Sequence, residues 1–288
     1  MTRLRHLPSL LTLAGLCVTG CQKPGAAPAA TTSATGAVTT PADPVPQHDS
    51  IMLESKAVSE TRRINVHTPG GYAGSSTRYP VLYMPDGGVA EDFPHVVNTL
   101  DSLVKAGEAR PFIVVGIENT ERRRDMTGPT TVGTDSAIAP RVGGSAAFRR
   151  FIREELMPEI EAKYRTTGET GIIGESLVGL FIMETLLAEP KLFDRYIAFS
   201  PSIWWNRDEL VRTARERVKA LDGLDRTLYL TAASDDVIPQ TDTLAGLFRG
   251  AKLTGFTFYY EPKPQEKHST IYRAAGPAAM KAALAPGR

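Results

Sequence analysis

Short apolar runs alternate with helix-like segments along most of this 288-residue chain, and this alternation limits the fold more than any other feature. Residues 81–84 and 112–117 are apolar throughout, as expected for strands that are covered on both faces. The other predicted strands are 51–58, 63–67, 171–173, 196–199, 228–230 and 256–260. Strands separated by helices predict an α/β fold with a mostly parallel central sheet and helices on both faces.

The helical segments differ in how deeply they are expected to be buried. An almost wholly apolar helix is predicted over residues 177–187, and further helices over 207–220, 241–253 and 274–284. Earlier in the chain one helix face is formed by apolar side chains at helical spacing, namely Phe148, Ile152, Leu156, Ile160 and Tyr164. Ser145 is the predicted N-cap of this helix, and Pro158 is expected to kink it.

Composition excludes several classes of protein. Hydrophobic residues make up 42% of the chain, which is enough for a core, and the net charge of +1 gives no sign of a nucleic-acid-binding surface. Both cysteines, Cys17 and Cys21, lie near the N-terminus, and the histidines form no HExxH or similar ligand pair. We therefore expect no nucleic-acid partner, no metal site and no cofactor.

The N-terminus has the pattern of an export signal. Arg3 and Arg5 precede an apolar stretch, residues 7–18, that is too short to cross a bilayer comfortably. It ends in VTGC, which resembles the lipobox of bacterial lipoproteins and implies cleavage before Cys21 and lipid attachment to it. This predicts a signal peptide over residues 1–20 and a membrane-anchored lipoprotein on the periplasmic or cell-envelope side. The alternative is an ordinary secretory signal.

Residues 21–50 are rich in Ala, Thr, Pro and Gly and carry almost no large apolar side chain. A segment of this kind buries too little surface to offset its conformational entropy, so it is predicted to be a flexible tether. The folded domain is then expected over residues 51–288.

The sequence GESLVG, residues 174–179, places a serine between a predicted buried strand and a predicted buried helix. On such a turn the Ser176 hydroxyl projects from the sheet edge, and the N-terminus of the helix favours a developing negative charge. The pattern departs from G-x-S-x-G, because Val178 occupies the second glycine position. Ser176 is thus a candidate nucleophile, and the alternative is a serine that caps a buried helix.

An activated serine needs an imidazole, and His268 is the only histidine that follows Ser176 in the sequence. His268 comes after the predicted strand 256–260, so a parallel sheet would bring it to the same edge as the serine. The alternative is a solvated histidine in a charged loop.

An acid that orients the imidazole is expected after the preceding strand, 228–230. That strand runs into two adjacent aspartates. Asp236 is the preferred candidate, with Asp235 second and Asp242 third. The alternative role for any of these residues is to end a loop or to cap the next helix.

Acyl transfer also needs two N–H donors that face the oxyanion. Leu177, directly after the serine, is the first candidate donor. The second is expected in the glycine turn after residues 81–84, where Gly88 is preferred over Gly87. The alternative is a simple turn.

Two further groups are candidates for binding substrate. Trp204 is placed after a strand end, where it is expected to form a pocket wall, although burial is the alternative for it or for Trp205. Arg122 and Arg124 belong to the charged run ERRRD, which is expected to bind an anionic group of the substrate. The alternative is a solvated run with internal ion pairs.

Several segments resemble the esterase branch of the α/β-hydrolases, which includes siderophore esterases, S-formylglutathione hydrolases, feruloyl esterases and mycolyltransferases. The resemblance runs from about residue 54 to the C-terminus. It is carried by RYPVLYMPDG (78–87), VGIENT (115–120), FIREELMP (151–158), GESL (174–177) and KHSTIY (267–272).

The resemblance implies an α/β-hydrolase fold and a serine esterase that uses Ser176 and His268 on a small-molecule ester. It is strongest to the siderophore-esterase-like members, but substrates differ widely across the branch. Two rival functions use the same fold: an acyltransferase with the same residues, and a non-catalytic binding protein. A peptidase is a weaker third, because the sequence provides no obvious lid or separate substrate domain.

Overall fold

The computed structural model describes residues 43–286 and confirms the predicted α/β class. Its strands are β1 (Asp49–Ser55), β2 (Glu60–His67), β3 (Tyr79–Pro85), β4 (Ile113–Ile117), β5 (Thr166–Glu175), β6 (Arg195–Phe199), β7 (Arg226–Thr231) and β8 (Phe256–Tyr260). They form one sheet with the order β1-β2-β4-β3-β5-β6-β7-β8. Every predicted strand is present, and the differences are confined to where the strands begin and end.

Strand direction determines which loops meet. The neighbouring pairs from β4 across to β8 are all parallel, whereas β1 pairs antiparallel with β2, and β2 with β4. The carboxyl ends of β3, β5, β6, β7 and β8 therefore reach the same side of the sheet, which we call the C-terminal edge. Ligands bind at this edge in open parallel sheets.

The helices are α1 (Phe93–Lys105), α2 (Arg122–Met126), α3 (Gly133–Ser136), α4 (Ser145–Phe151), α5 (Met157–Lys163), α6 (Leu177–Ala188), α7 (Trp205–Lys219), α8 (Ile238–Ala251) and α9 (Ile271–Ala283). One apolar layer lies under α1 and α9 and another under α4 to α8, so both faces of the sheet are covered, as predicted. Helix α1 is absent from the predictions, although its buried residues Val96, Val97, Leu100 and Leu103 have helical spacing.

The helix that was expected to kink at Pro158 contains a π-helical turn instead. Helix α4 passes into a π segment, Ile152–Leu156, and α5 then begins with Pro158 in its first turn. The backbone stays helical through Phe151, Leu156 and Met157, so Pro158 lies inside one continuous helix, and the π turn lies where its missing N–H interrupts the i→i−4 hydrogen bonds. The predicted capping role of Ser145 is wrong: no side chain caps α4, and the Ser145 hydroxyl donates to Glu184 at 3.2 Å.

Two glycines bring β3 and β4 into close contact at the C-terminal edge. A Cβ atom on Gly87 would lie 2.3 Å from Gly116 Cα, and one on Gly116 would lie 2.5 Å from Gly87 O. No side chain fits at either position, so the turn after β3 lies directly against β4. This contact fixes the backbone of residues 86–88, which include the candidate oxyanion donor.

The segment just before β1 lies against the domain. The Asn98 side chain donates to Pro44 O at 2.8 Å, His67 Nδ1 lies 2.8 Å from Gln47 O, and Asp43 forms an ion pair with Arg273. The predicted signal peptide, Cys21 and most of the predicted tether lie outside the described residues. Within residues 43–286, no helix is long and apolar enough to cross a membrane.

Candidate active site

Ser176 lies on a strained turn between β5 and α6. Its φ of 63° and ψ of −118° fall outside the regions that non-glycine residues favour. Three backbone hydrogen bonds hold the turn: Ser176 N–H donates to Phe199 O at 3.0 Å, and Ser176 O accepts the N–H groups of Leu180 at 2.9 Å and Ser202 at 3.0 Å. The strand, turn and helix therefore fix the serine where the sequence predicted a nucleophile.

The structure explains how valine is accommodated in GESLVG. A Cβ atom on Gly174 would lie 2.2 Å from Val178 Cγ1, so the valine side chain fills the space that Gly174 leaves open. Gly179, one place later, meets the next strand: a Cβ atom there would lie 2.9 Å from Phe199 O and 3.0 Å from Pro201 Cα. In G-x-S-x-G the second glycine lets the helix approach the neighbouring strand closely. Here Gly179, one residue later in the chain, has that role.

His268 lies between Ser176 and an aspartate. Its Nε2 is 3.0 Å from Ser176 Oγ, and its Nδ1 is 2.8 Å from Asp236 Oδ1. With the proton on Nδ1, the imidazole donates to Asp236 and accepts the serine hydroxyl. Three side chains that are far apart in the chain therefore form one line of hydrogen bonds at the C-terminal edge.

The three candidate aspartates occupy different positions. Asp236 contacts the imidazole, and its second oxygen accepts the Ala233 N–H at 2.6 Å. Asp235 accepts the backbone N–H of His268 at 2.8 Å, which orients the loop but not the ring. Asp242 accepts the Tyr260 hydroxyl at 2.7 Å.

The local charges favour the ion pair that this arrangement can form. The hydrogen bond to Asp236 raises the pKa of His268 above its ordinary value, although burial opposes this, and Glu175 also contributes. Burial alone would raise the pKa of Asp236, but hydrogen bonds with His268, Ser200 and the Ala233 N–H outweigh it and lower that pKa. A protonated His268 beside an ionised Asp236 is therefore stabilised.

The two predicted oxyanion donors differ in availability. Leu177 is the first residue of α6, so its N–H has no acceptor within the helix. The Gly88 N–H donates to Glu91 Oε2 at 2.7 Å, and the Gly87 N–H donates to Ile117 O at 3.0 Å. The second donor is therefore occupied by a carboxylate three residues further along, in the turns that precede α1.

A cavity of about 340 Å³ lies beside the serine and the imidazole. Trp204 lines it with 39% of its surface exposed, whereas Trp205 is buried and its indole N–H donates to Gly128 O at 2.9 Å. Ser202 also lines the cavity, and its Oγ lies 3.4 Å from Ser176 Oγ. Ser202 was not singled out from the sequence, although it stands in the SPS run that leads to the tryptophans.

The arginine run has a different arrangement from the one predicted. Arg122 forms a two-pronged ion pair with Asp86, with both contacts at 2.7 Å, and Arg124 is paired with Glu60 at 2.6 Å and Asp125 at 2.7 Å. These pairs hold loops together. Arg123, between them, is exposed and makes no side-chain hydrogen bond or ion pair within the described part of the chain.

A second cavity, of about 600 Å³, is lined by the arginine run and by residues 139–141. Arg141 reaches its rim and pairs with Glu121. The lining residue Arg122 binds Asp86 at the end of β3, so this cavity lies near the C-terminal edge. Over residues 43–286, no group of three His, Cys, Asp or Glu side chains is placed to hold a metal ion.

Comparison with known proteins agrees with this geometry. The Esterase family matches residues 55–245. The chain is 33% identical over 205 residues to ferri-bacillibactin esterase BesA of Bacillus subtilis, an alignment that covers 63% of this chain and 68% of BesA. It is 35% identical over 112 residues to a siderophore enterobactin esterase of Emericella nidulans, covering 36% of this chain and 37% of that protein.

Solved structures show the same architecture. An IroE-like serine hydrolase from Shewanella oneidensis superposes with a TM-score of 0.75 at 28% identity, over 83% of this chain and 80% of that one. The BES protein from Bacillus cereus gives a TM-score of 0.72 at 22% identity, over 81% and 94%, and supports the fold alone. This chain therefore belongs to the Esterase family, has the α/β-hydrolase fold, and is a carboxylic-ester hydrolase.

Proposed function

We propose that the chain hydrolyses its ester through a Ser176–His268–Asp236 triad and a covalent acyl-enzyme. The observation that carries this proposal is the continuous pair of hydrogen bonds, 3.0 Å and 2.8 Å long, that joins the three side chains. Geometry of this kind lets an imidazole take the serine proton while a buried carboxylate stabilises the resulting cation.

In the proposed mechanism, His268 Nε2 removes the proton from Ser176 Oγ as that oxygen attacks the ester carbonyl. The tetrahedral oxyanion forms near the start of α6, where the Leu177 N–H and the helix dipole stabilise it. The imidazolium then protonates the departing alcohol and leaves an acyl group on Ser176. A water molecule, deprotonated by His268, releases the acid and restores the serine.

The second oxyanion donor requires a small rearrangement. One N–H cannot donate fully to Glu91 and to an oxyanion at the same time, so the Glu91 carboxylate has to move if Gly88 is to take part. Its contacts are with neutral donors: the Gly88 N–H and the Asn119 amide, the latter at 2.8 Å. Because neither contact is an ion pair, moving the Glu91 carboxylate into solvent costs less than breaking a charge-paired contact would.

We further propose that the natural substrate is an anionic, siderophore-type ester. BesA and the fungal relative are named as siderophore esterases. Support within this chain comes from the 600 Å³ cavity near the C-terminal edge and from the unpaired guanidinium of Arg123 at its lining. A guanidinium with no internal partner can bind carboxylate or catecholate oxygens of a substrate directly.

Replacing the nucleophile tests the reaction. We expect Ser176→Ala to lower kcat/KM for a short nitrophenyl ester by at least about a thousandfold, because attack by the serine oxygen is lost. A fluorophosphonate probe should label the wild-type protein at Ser176 and leave the variant unlabelled, as read by intact-mass spectrometry. Full activity in the variant would refute the assignment.

The assignment of the acid predicts a contrast between two aspartates. Asp236→Asn removes the negative charge beside His268 Nδ1 and no longer fixes the tautomer of the imidazole, and we expect kcat to fall by about a hundredfold to ten-thousandfold. Asp242→Asn is the matched control, since Asp242 contacts Tyr260 and not the ring. Steady-state rates at one pH compare the two variants, and equal losses would remove Asp236 from the triad.

The substrate proposal predicts a selective effect at Arg123. We expect Arg123→Gln to raise KM for a ferric catecholate trilactone by about three- to tenfold and to leave nitrophenyl acetate unaffected, because only the first substrate is anionic. Arg215→Gln, an exposed arginine of α7, is the control for lost positive charge. An equal change for both substrates would argue against an anion-binding role for Arg123.

We also propose that the protein is exported and anchored through lipid on Cys21, on the strength of the lipobox-like VTGC. Cells that express the full chain should incorporate labelled palmitate into it and retain it with their membranes. Cys21→Ser should abolish both results and leave esterase activity intact. Membrane retention of that variant without label would point to another mode of attachment.

A further inference from the structure

Glu175 occupies a special place, because it is the last residue of β5 and directly precedes Ser176. It pairs with Phe199 of β6 on one side. On the other side β5 pairs with β3, whose last residue, Pro85, is followed by Asp86. Two neighbouring strands therefore end in or directly before an acidic residue at the C-terminal edge.

The Glu175 side chain has no dedicated counterion. Its Oε1 is buried and makes no hydrogen bond to any described residue. The nearby cation, Arg122, is already bound by Asp86 through two contacts. The Tyr272 hydroxyl, on the first turn of α9, is also buried without a hydrogen-bond partner among the described residues. A buried acid in such surroundings is uncommon unless it has a function.

The charged groups that act on Glu175 come from each neighbouring element. They are His268, Asp236, Arg122 and Asp92, and Asp92 lies just before α1. Those that act on His268 are Asp236, Glu175 and Asp235. Besides Asp236, which it contacts, the imidazole is therefore influenced by two further acidic residues, Asp235 and Glu175. Of these two, Glu175 is the one that directly precedes the nucleophile in the chain.

The pKa shifts agree with this arrangement. Burial raises the pKa of Glu175 to about 7 and that of Asp92 to about 6. Each negative charge also disfavours its neighbour's ionisation, whereas a positive charge on His268 favours ionisation of Glu175. The carboxyl therefore changes its charge in the range where a serine esterase works.

We propose that Glu175 is a positioning residue whose buried carboxylate, together with Asp236, stabilises the His268 imidazolium that forms when Ser176 attacks. This inference rests on the proposed triad. The linkage works in both directions: ionised Glu175 favours protonated His268, and protonated His268 favours ionised Glu175, with the carboxyl proton passing to solvent. The stabilisation is present above the pKa of Glu175 and is lost as the pH falls and the carboxyl becomes neutral.

Glu175→Gln keeps the shape of the side chain and removes its charge. We expect the pKa of His268 to fall by about half a unit to one unit, because the imidazolium loses a negative neighbour. The acid limb of the kcat/KM profile should move to lower pH by the same amount. The kcat plateau should drop by about three- to tenfold, since the transition state contains the imidazolium.

The His268 pKa is measured by NMR titration of the full chain labelled in its histidines, with His268→Gln identifying the resonance. A Ser176→Ala background makes this reading independent of turnover. Glu175→Asp should keep most of the wild-type pKa. Glu216→Gln, which breaks an exposed pair with Lys219 on α7, should leave it unchanged.

An unchanged or higher His268 pKa in Glu175→Gln would overturn the inference. A lower activity with no movement of the pH profile would also overturn it, because it would assign Glu175 to packing alone. Failure of the triad itself has a different signature. The wild-type protein would then resist the fluorophosphonate probe, while the titration would still report whether Glu175 acts on the imidazole.

Discussion

The turn at Ser176 is the constraint on which the rest of the site depends. A non-glycine residue at φ 63° costs about 1–3 kcal/mol. That cost is offset because residues 171–174 of β5 and nearly all of α6, on either side of the turn, are buried and cannot relax without exposing core residues. Because the serine is fixed, the loops after β7 and β8 need only bring Asp236 and His268 to a known point at the C-terminal edge.

Charge at that edge is unevenly distributed. Asp86 follows β3, Glu175 ends β5, and Glu91 and Asp92 lie between β3 and α1. Arg122 binds Asp86, and none of the other three forms an ion pair with a described residue. An edge with excess negative charge favours a cation, and the cation that the proposed reaction generates there is the imidazolium. The same excess would disfavour the anionic substrate proposed above, and the exposed Arg123 at the 600 Å³ cavity would bind that substrate away from the acids.

The sequence was sufficient to predict the parts of the structure that depend on the order of residues along the chain and on the pattern of apolar residues. Buried strands such as β3 and β4 are continuous apolar runs, and parallel strands bring the residues after β5, β7 and β8 to one edge, in the order serine, acid, histidine that the α/β-hydrolase fold uses. It was insufficient where long-range contacts decide. Arg124, in α2, is paired with Glu60 of β2, and nothing in the local run ERRRD indicates that partner. Asp235 and Asp236 are adjacent, so only side-chain direction separates the one that meets the ring from the one that meets the backbone.

Gly88 shows how local and catalytic requirements compete for a single group. A glycine there permits close approach to substrate, but its N–H is also the natural donor for a glutamate three residues later, and in this structure Glu91 takes it. A carboxylate oxygen at that N–H resembles the oxyanion in charge. The proposed reaction therefore has to exchange one negative oxygen for another there. This exchange costs less than orienting a disordered N–H toward the oxyanion during the reaction would. The Gly88 N–H already points toward a negative charge before the substrate arrives.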